Sequence, residues 1–200
     1  MKGEYSSPDE VLQTAIAQAL FPDNTYSKNS GGDPDHISEL TYEHYLDFYH
    51  KYYHPSNSYI YLYGDMDVKE RLEWMDRAYL SAYESMEIDS NIPMQKPFDA
   101  MKFVETTFPI TDDDPEENNT YLSYNMVIAD VLDPTLYQAF TVLDYVLVSA
   151  PGAPVRQALI DAGIGQDVYG SYENEMLQPF FSIVAKNANK GDKDRFVRII

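Results

Sequence analysis

The chain has 200 residues, 44% of them hydrophobic and 24% charged, which is the composition of a folded globular chain with one large core or two small ones. Thirty-three acidic and fourteen basic residues give a net charge of −19, which argues against nucleic acid as a partner because phosphate backbones are repelled. The absence of cysteine excludes disulfides and thiolate metal sites, and no apolar run approaches the ~20 residues that a membrane span needs. These features favour a cytoplasmic protein that contacts neither nucleic acid nor membrane.

The first helix is predicted from Ser7, which stands at the N-cap position of a capping box. Pro8 follows at the first helical position, and Glu10 completes the box three residues after the cap. Phe21-Pro22 ends the helix, whose apolar face holds Val11, Leu12, Ala15, Ile16, Ala19 and Leu20. Residues 23–40 are predicted as a long loop.

The stretch from Thr41 to Asp65 is predicted to be the unit around which the chain is organised. Thr41 is the expected N-cap of a helix with one broad aromatic face, and Pro55 ends that helix because it disfavours helical geometry in the residue before it. The run Tyr59–Tyr63 is unbroken and apolar, which is typical of a strand buried on both faces. We therefore expect a helix that leads into a central, buried strand.

The region that follows predicts a domain boundary. Asp67 caps a further helix with apolar residues at helical spacing. Residues 88–101 contain two prolines and show no sustained period, which is typical of a linker. The predicted division is a first module over residues 1–87, a linker over 88–101 and a second module over 102–200.

The second module is predicted to combine strands and helices. Alternation of apolar and polar residues over Leu122–Ile128 indicates a half-exposed strand, and Asp133-Pro134 begins a helix. A shorter helix follows Pro154 and closes at Gly163, the usual C-terminal glycine. The remaining predicted elements are a strand at 103–108, an acidic loop at 111–119, a hairpin of strands near 166–172 and 180–186, and a final helix capped by Asp192.

The histidines are weak candidates for a metal site. His50 and His54 are four residues apart, the spacing that two zinc-binding histidines on one helix need. The zincin pattern requires Glu where Lys51 stands, and the inverted pattern requires Glu where Tyr53 stands. A structural or surface role is therefore favoured for this pair, and the other two histidines have no better claim.

No other motif forms a complete active site. The acidic run Asp112–Glu117 lacks the alternating oxygens and the glycine of a calcium loop, so a solvated surface loop is favoured. Ser30-Gly31-Gly32 lacks the lysine that ends a phosphate-binding loop. The eighteen tyrosines are typical of core and interface packing. Taken together, the residues predict an α+β protein with helices packed on largely antiparallel sheets.

Three segments together resemble the pitrilysin/insulinase-type zinc metallopeptidases, specifically the presequence-protease branch. They are MKGEYSSPDEVLQTAIAQALFPDNTYSKNSGGDP, LTYEHYLDFYHKYYHPSNSYIYLYGD and SAPGAPVRQALIDAGIGQDVYGSYE. The most specific pieces are the Tyr-Tyr-His-Pro-Ser-Asn turn with its flanking helix and strand, and the Pro-Gly-x-Pro-x-Arg-x-x-Leu-Ile helix. The resemblance covers nearly the whole chain, in order and with matching gaps.

The resemblance implies a clamshell of two halves, each made of two related α+β domains of the mitochondrial-processing-peptidase type, which close on a peptide. Zinc in that family is held by an inverted H-x-x-E-H helix and a distant Glu, and the part matched here contains neither. The chain would then be an internal fragment that runs from the end of the first domain into the second. It would be inactive alone, with no catalytic residue, metal ligand or cofactor of its own, whereas the parent protein would bind zinc.

The resemblance also implies a role for the predicted hairpin. In insulinase-type relatives a strand of the second domain anchors the N-terminal end of the substrate, and the matching candidates here are Tyr169, Gly170, Ser171, Pro179 and Phe180. An exposed strand edge binds extended peptide through main-chain hydrogen bonds, and Gly170 would let a backbone approach closely. The alternative is an ordinary hairpin whose glycine marks a bulge.

Two functions from different classes follow. The first is a non-catalytic fragment of a zinc-dependent, oligopeptide-degrading metallopeptidase that provides scaffold and a peptide-anchoring strand. Its partners would be the remaining domains of the parent peptidase and a peptide substrate. The second is a non-catalytic peptide- or partner-binding domain that is homologous to such peptidases. An H-x-x-E-H helix encoded upstream of Met1 would distinguish the first function from the second.

Overall fold

The computed structural model describes residues 6–200. Its helices and strands follow in the order α1 Pro8–Leu20, α2 Pro34–Ile37, α3 Tyr42–Tyr52, α4 Val68–Ala78, β1 Thr120–Val127, α5 Pro134–Asp144, α6 Pro154–Asp161, β2 Asp167–Glu173, β3 Phe180–Ala188 and α7 Lys193–Ile199. A π-helical turn over Tyr145–Ser149 continues α5. None of the helices described is both long and apolar enough to cross a membrane. Helices together with an antiparallel sheet confirm the predicted α+β class.

The chain divides into two compact units. The first comprises the N-terminal segment up to Gly31 together with Pro93–Ile200, and the second comprises Gly32–Ile92. Helix α1 therefore belongs with the strands, in the same unit as all of residues 102–200. The division at 88–101 that the sequence predicts concerns peptidase-like domains of a longer protein, and it stays a prediction.

The first unit is built on a three-stranded antiparallel sheet with the strand order β1-β3-β2. The central strand is β3, in which every residue from Phe180 to Ala185 is buried. An uninterrupted buried run of this kind is typical of a strand that is covered on both faces. The pairing of β2 with β3 confirms the predicted hairpin, and β1 confirms the strand predicted from the alternation at Leu122–Ile128.

One face of this sheet is covered by α5, α6 and α7. Phe181 and Ile183 of β3 join a buried core with Val148 of the π-helical turn and Leu159 of α6. Gly163 follows the end of α6 with a φ of +68°, the left-handed conformation that its position predicts. This core is the main one among the described residues.

The opposite face of the sheet carries α1. Ile16, Leu20 and Phe21 pack together with Phe180, and the two phenylalanine ring centroids are 6.1 Å apart. The predicted apolar face of the helix is therefore the one that is buried. The predicted capping box is not formed, because the side chain of Ser7 makes no capping hydrogen bond although Ser7 occupies the N-cap position.

The segment that the sequence predicts as a linker is fixed to the first unit at Gln95, which is buried. The Gln178 amide pairs with both main-chain groups of Gln95, since its Oε1 accepts from the Gln95 N–H and its Nε2 donates to the Gln95 carbonyl at 3.1 Å. The Gln95 side chain in turn accepts from the Asp23 N–H at 3.0 Å and donates to the Asp23 carboxylate at 2.7 Å. Gln95 therefore lies in a buried polar network, and the linker over 88–101 stays a prediction.

The second unit contains α2, α3 and α4, and none of its residues is buried. Its local signals are nevertheless confirmed. The Thr41 side chain accepts a hydrogen bond from the His44 N–H at 3.2 Å, and the Asp67 side chain accepts one from the Glu70 N–H at 3.0 Å. Both predicted N-caps are therefore formed, in a unit that lacks a core of its own.

The central strand that the sequence predicts at Tyr59–Tyr63 is not formed. The segment forms neither strand nor helix, and the side chains of Tyr59, Tyr61 and Tyr63 are 106%, 85% and 85% exposed. A strand becomes buried only when neighbouring strands and a covering layer are at hand, and the described residues bring neither to this segment.

The strand predicted at Phe103–Phe108 is not formed either. The segment is held by side chains, with an ion pair between Glu105 and Lys190 and with the Lys193 ammonium 5.0 Å from the Phe103 ring centroid. No ladder of main-chain hydrogen bonds joins it to β1–β3. The predicted strand therefore lacks a partner strand within the described residues.

Candidate functional site

The predicted peptide-anchoring residues of β2 lie at an edge of the sheet. β2 pairs with β3 on one side, and no residue between 6 and 200 pairs with its other side. An edge strand presents unpaired N–H and C=O groups to whatever approaches it. Tyr169, Gly170 and Ser171 occupy the middle of this edge and are half-buried. The structure therefore brings three of the five candidate residues to one open strand edge.

Gly170 faces the helical side of the sheet. A Cβ atom at this position would lie 2.6 Å from Asp144 Oδ1 and 3.0 Å from the Cβ of Val148. The sequence predicts either the close approach of a peptide backbone to this glycine or a bulge in an ordinary hairpin. The structure instead gives it a packing role, because the π-helical turn comes too close to β2 for any side chain.

Asp144 is a half-buried polar residue that no sequence pattern indicates. Its Oδ2 accepts a hydrogen bond from Ser149 Oγ at 3.0 Å, whereas its Oδ1 is buried and has no hydrogen-bond partner among the described residues. No sequence spacing marks this residue, since its burial depends on where the π-helical turn meets Gly170. The result is an unpaired acceptor behind the candidate edge.

On the face of the sheet that carries α1, Lys186 of β3 links Tyr169 of β2 to α1. Lys186 Nζ pairs with Asp9 in the first turn of α1 and lies 5.1 Å and 5.6 Å from the ring centroids of Tyr169 and Tyr121. Burial lowers the pKa of Lys186, but the hydrogen bond to Asp9 and the attraction of its anionic neighbours outweigh it, so the pKa lies above its ordinary value. This ammonium group fixes the Tyr169 ring at the edge.

Two tyrosines of β2 are shifted towards their neutral form. Burial raises the pKa of Tyr169, against the opposing charge of Lys186, and burial also raises the pKa of Tyr172. Tyr172 packs on the helical side against Phe140, with ring centroids 5.7 Å apart. Both phenols therefore stay protonated at neutral pH and can donate hydrogen bonds.

Pro179 and Phe180 lie at the start of the central strand and are buried. Phe180 pairs with Val127 of β1 and with Glu173 of β2, and the Pro179 carbonyl accepts from the Ile128 N–H at 2.7 Å. Neighbouring strands already flank this part of the chain on both sides. These two candidates support the edge from behind, and they do not line it.

His50 and His54 do not share a helix, which corrects the premise of the zinc reading. Helix α3 ends at Tyr52, and His54 is the N-cap of a 3₁₀ turn over Pro55–Asn57. His54 Nδ1 accepts a hydrogen bond from the Ser56 N–H at 3.1 Å. This ring nitrogen has a local structural role, as expected for the pair.

The acidic loop at 111–119 is held by hydrogen bonds between two of its own residues. Asp114 Oδ2 accepts hydrogen bonds from the N–H and Oγ1 of Thr111 at 2.9 and 2.8 Å, and these bonds hold the pKa of Asp114 below its ordinary value. Across the part of the chain that the structure describes, no three His, Asp or Glu side chains come together as a metal site. Residues 6–200 therefore offer no set of ligands that fits the zinc site which the resemblance implies.

Comparison with known proteins gives one matching family and several similar sequences. The family model described as the peptidase M16 inactive domain matches residues 39–200. The chain is 44% identical over 200 residues to Protein HypA of Clostridium perfringens. It is 34% identical over 204 residues to Presequence protease 1, chloroplastic/mitochondrial, of Arabidopsis thaliana, and 30% identical over 207 residues to Presequence protease, mitochondrial, of Xenopus tropicalis.

All three of these relatives are much longer than the chain. Each alignment covers 100% of this chain but only 21%, 19% and 20% of the respective relative. The chain therefore spans about a fifth of the length of the curated relatives it matches.

Proposed function

The chain belongs to the peptidase M16 family, and we propose that it is a non-catalytic part of a larger zinc-dependent, oligopeptide-degrading metallopeptidase. Support comes from the matched family model, which describes an inactive domain, and from similar proteins that are named presequence proteases. The zinc ligands and the catalytic base would be supplied by parts of the parent protein outside this chain. The remaining domains of that protein and its peptide substrate would be the partners, and a cytoplasmic location stays a prediction.

Within that protein the chain would provide scaffold and a strand that anchors peptide. The observation that carries the proposal is the open outer edge of β2, with Tyr169 and Ser171 at its centre. An extended peptide adds to such an edge through main-chain hydrogen bonds, so binding depends little on the peptide sequence. Side chains of alternate peptide residues would lie beside the Tyr169 ring.

Charge favours a basic peptide at this edge. Asp167 and Glu173 are exposed at the two ends of β2, and the whole chain carries a net charge of −19. This field attracts cationic peptides and raises their rate of encounter. Affinity would nevertheless be weak, about millimolar, because an extended peptide loses conformational entropy on docking to a single edge.

The test is an NMR titration of the 200-residue chain with a basic, unstructured peptide and two N-methylated versions of it. One version carries N-methyl groups on the odd residues and the other on the even residues. Strand addition uses the N–H groups of only one of these two sets. We expect shifts centred on residues 167–173, and we expect one N-methylated peptide to lose binding while the other binds like the parent peptide.

Two results would contradict the anchor. Equal binding of all three peptides would show that main-chain hydrogen bonds do not hold the peptide. Shifts confined to residues outside 167–173 would leave β2 as an ordinary hairpin strand. Gly170→Val is unsuitable as the test, since its side chain would collide with Asp144 and Val148 whether or not a peptide binds.

The proposal also predicts that the isolated chain neither holds stoichiometric zinc nor cleaves peptides. The reason is that the sequence lacks an H-x-x-E-H helix, and that His50 and His54 lie on different elements. Elemental analysis by inductively coupled plasma measures the metal content of the purified chain. One tightly held zinc per chain, lost in His50→Ala, would contradict the prediction.

The alternative function is a non-catalytic domain, homologous to such peptidases, that binds a peptide or a protein partner without cleaving it. The exposed apolar side chains of the second unit favour a partner of some kind. The coding sequence upstream of Met1 separates the two functions, because an H-x-x-E-H helix there supports the peptidase.

A further inference from the structure

The two faces of the edge strand β2 differ in chemistry. Side chains of a strand point alternately to its two faces. The face towards α5–α7 carries three uncharged residues, Val168, Gly170 and Tyr172. The face towards α1 carries two polar residues between two carboxylates, in the order Asp167, Tyr169, Ser171 and Glu173. An extended peptide that adds to the open edge meets both faces, because its own side chains alternate in step with those of β2.

The face towards α1 is acidic beside the edge. Asp167 and Glu173 are exposed, and neither makes an ion pair among the described residues. Burial is the main reason that the pKa of Tyr169 is raised, and the negative charges of Asp9 and Asp167 raise it further. Both carboxylates therefore act on the Tyr169 ring in the middle of the edge.

Lys186 brings a positive charge to this face without cancelling the acidity of the edge. It lies opposite Asp167 in the register of β2 with β3, but its ammonium group pairs with Asp9. The Lys186 side chain is also only 22% exposed. The charges of Asp167 and Glu173 are therefore left for an incoming peptide.

Helix α5 and the π-helical turn, which contact the other face of β2, are almost uncharged. Tyr137 of α5 packs on Tyr172 with ring centroids 6.1 Å apart, so α5 runs beside the edge strand. Asp144 is the only charged residue over 134–153. Its Oδ1 is buried and its Oδ2 already accepts from Ser149 Oγ. A peptide side chain on this face thus meets aromatic and aliphatic groups.

We propose that the edge of β2 selects extended peptides whose side chains alternate between basic and apolar. The selection rests on the proposed function, because it takes the outer edge of β2 as the place where peptide binds. Basic side chains would lie beside Asp167 and Glu173, and apolar side chains would lie beside Tyr172. A peptide of the same composition with its basic residues in one block would place half of its charges on the uncharged face.

The selection does not depend on the direction in which the peptide runs. In a parallel and in an antiparallel pair alike, alternate residues of the added strand lie on the same face. A shift of register by one residue would move every basic side chain to the uncharged face, so the alternation also fixes the register. The pattern is therefore recognised without a pocket for any single side chain.

The experiment is an NMR titration of the 200-residue chain with two peptides of equal composition and blocked termini. One is Lys-Val-Lys-Val-Lys-Val-Lys, and the other is Lys-Lys-Lys-Lys-Val-Val-Val. Each peptide matches the 7 residues of β2 in length. We expect both peptides to shift the signals of residues 167–173. The alternating peptide should bind at least about fivefold more tightly, since opposite charges across a strand pair are stabilising.

A matched pair of double variants tests whether the acidic face makes the choice. Asp167→Asn with Glu173→Gln removes the two charges of the edge, whereas Asp112→Asn with Glu116→Gln removes the same net charge from the acidic loop. All four side chains are exposed, so neither double variant should disturb the fold. We expect the first double variant to reduce the preference for the alternating peptide to less than about twofold and the second to leave it unchanged.

A third peptide tests the uncharged face. Lys-Thr-Lys-Thr-Lys-Thr-Lys keeps the charge, the alternation and the β-branched shape, and it replaces one methyl group of each valine by a hydroxyl group. We expect it to bind at least about threefold more weakly than the valine peptide, because its hydroxyl groups lose water beside Tyr172 and Tyr137. Equal binding of the two peptides would contradict the role of the uncharged face.

Three further results would overturn the inference. Equal affinity of the alternating and the blocked peptide, with shifts at 167–173, would do so and would leave the peptide anchor standing. A preference that persists in Asp167→Asn with Glu173→Gln would show that the edge charges do not make the choice. Shifts confined to residues outside 167–173 would overturn the inference together with the anchor. Failure of the selection alone is therefore distinct from failure of the proposed function.

Discussion

Two apolar runs of the chain look alike in sequence and differ in structure. The run Phe180–Ala185 of β3 is buried throughout, while the run Tyr59–Tyr63 is exposed throughout. β3 has β1 and β2 on its two edges, helices α5–α7 on one face and α1 on the other. The tyrosine-rich run has no paired strand among the described residues. The hydrophobic pattern of a segment therefore predicts that the segment is suited to burial. Whether it is buried depends on the strands and helices that are available to cover it.

The comparison predicts that equal truncations in the two runs have very different effects. Ile183→Ala should lower the free energy of unfolding of the first unit by about 2–5 kcal/mol, because the side chain is 3% exposed and its loss leaves a cavity. Ile60→Ala should change the free energy of unfolding of the chain by less than about 0.5 kcal/mol, since the Ile60 side chain is half exposed. Urea denaturation measures both. Similar losses in the two variants would mean that the exposed run is buried after all.

The second prediction concerns the polar network that holds Gln95. Gln178→Ala should lower the free energy of unfolding of the first unit by about 2–4 kcal/mol, because it leaves the buried N–H and carbonyl of Gln95 without partners. Gln157→Ala is the matched control, since its amide bonds only to Asp161 on the exposed side of α6. Thermal unfolding of both variants gives the comparison. A loss in Gln178→Ala no larger than in Gln157→Ala would show that residues 88–101 are an open linker.

The third prediction concerns the close approach behind the candidate edge. Gly170→Ala should destabilise the first unit by about 1–3 kcal/mol, because the new Cβ would overlap Asp144 and Val148. Gly191→Ala meets no atom within 4 Å and should change stability by less than about 0.5 kcal/mol. Denaturant titration measures the difference. Equal stability of the two variants would show that the π-helical turn does not press on β2.

The fourth prediction has the smallest effect and depends on pH. The pKa of Lys186 is raised in the folded chain, so its stabilising contribution is present below the ordinary lysine pKa and is lost as the pH rises through the raised value. Lys186→Met should therefore lower the free energy of unfolding by at most about 1 kcal/mol at pH 8, and the difference from wild type should shrink as the pH rises through the raised pKa of Lys186. Lys69→Met, at an exposed pair with Glu73, should change little at either pH. A difference that grows with pH would contradict this account.

The sequence predicts most of what depends on neighbouring residues. Thr41, Asp67 and Gly163 mark helix ends correctly, because capping is decided within a few residues of chain. The hairpin of β2 and β3 is predicted for the same reason, since its two strands follow one another closely. Family membership is also predicted, from three segments whose order and spacing are preserved along the chain.

What the sequence does not predict depends on contacts between distant residues. The buried oxygen of Asp144 and the packing role of Gly170 result from a π-helical turn that no spacing marks. Gln95 is buried through Gln178, 83 residues further along the chain. Of the candidate residues, Tyr169 and Ser171 lie on the edge strand β2 and Phe180 lies on the central strand β3, and their role in binding peptide stays a prediction.

The run Phe180–Ala185 has its strand partners within the chain, whereas the run Tyr59–Tyr63 has none among residues 6–200. Amide hydrogen exchange of the isolated 200-residue chain, followed by NMR, compares both runs in one sample. The amides of Ile183 and Val184 should exchange at least about 1,000-fold more slowly than those of Tyr61 and Leu62, which should exchange nearly as fast as an unstructured peptide. Comparable protection of the two runs, at a chain concentration low enough to exclude self-association, would contradict the claim.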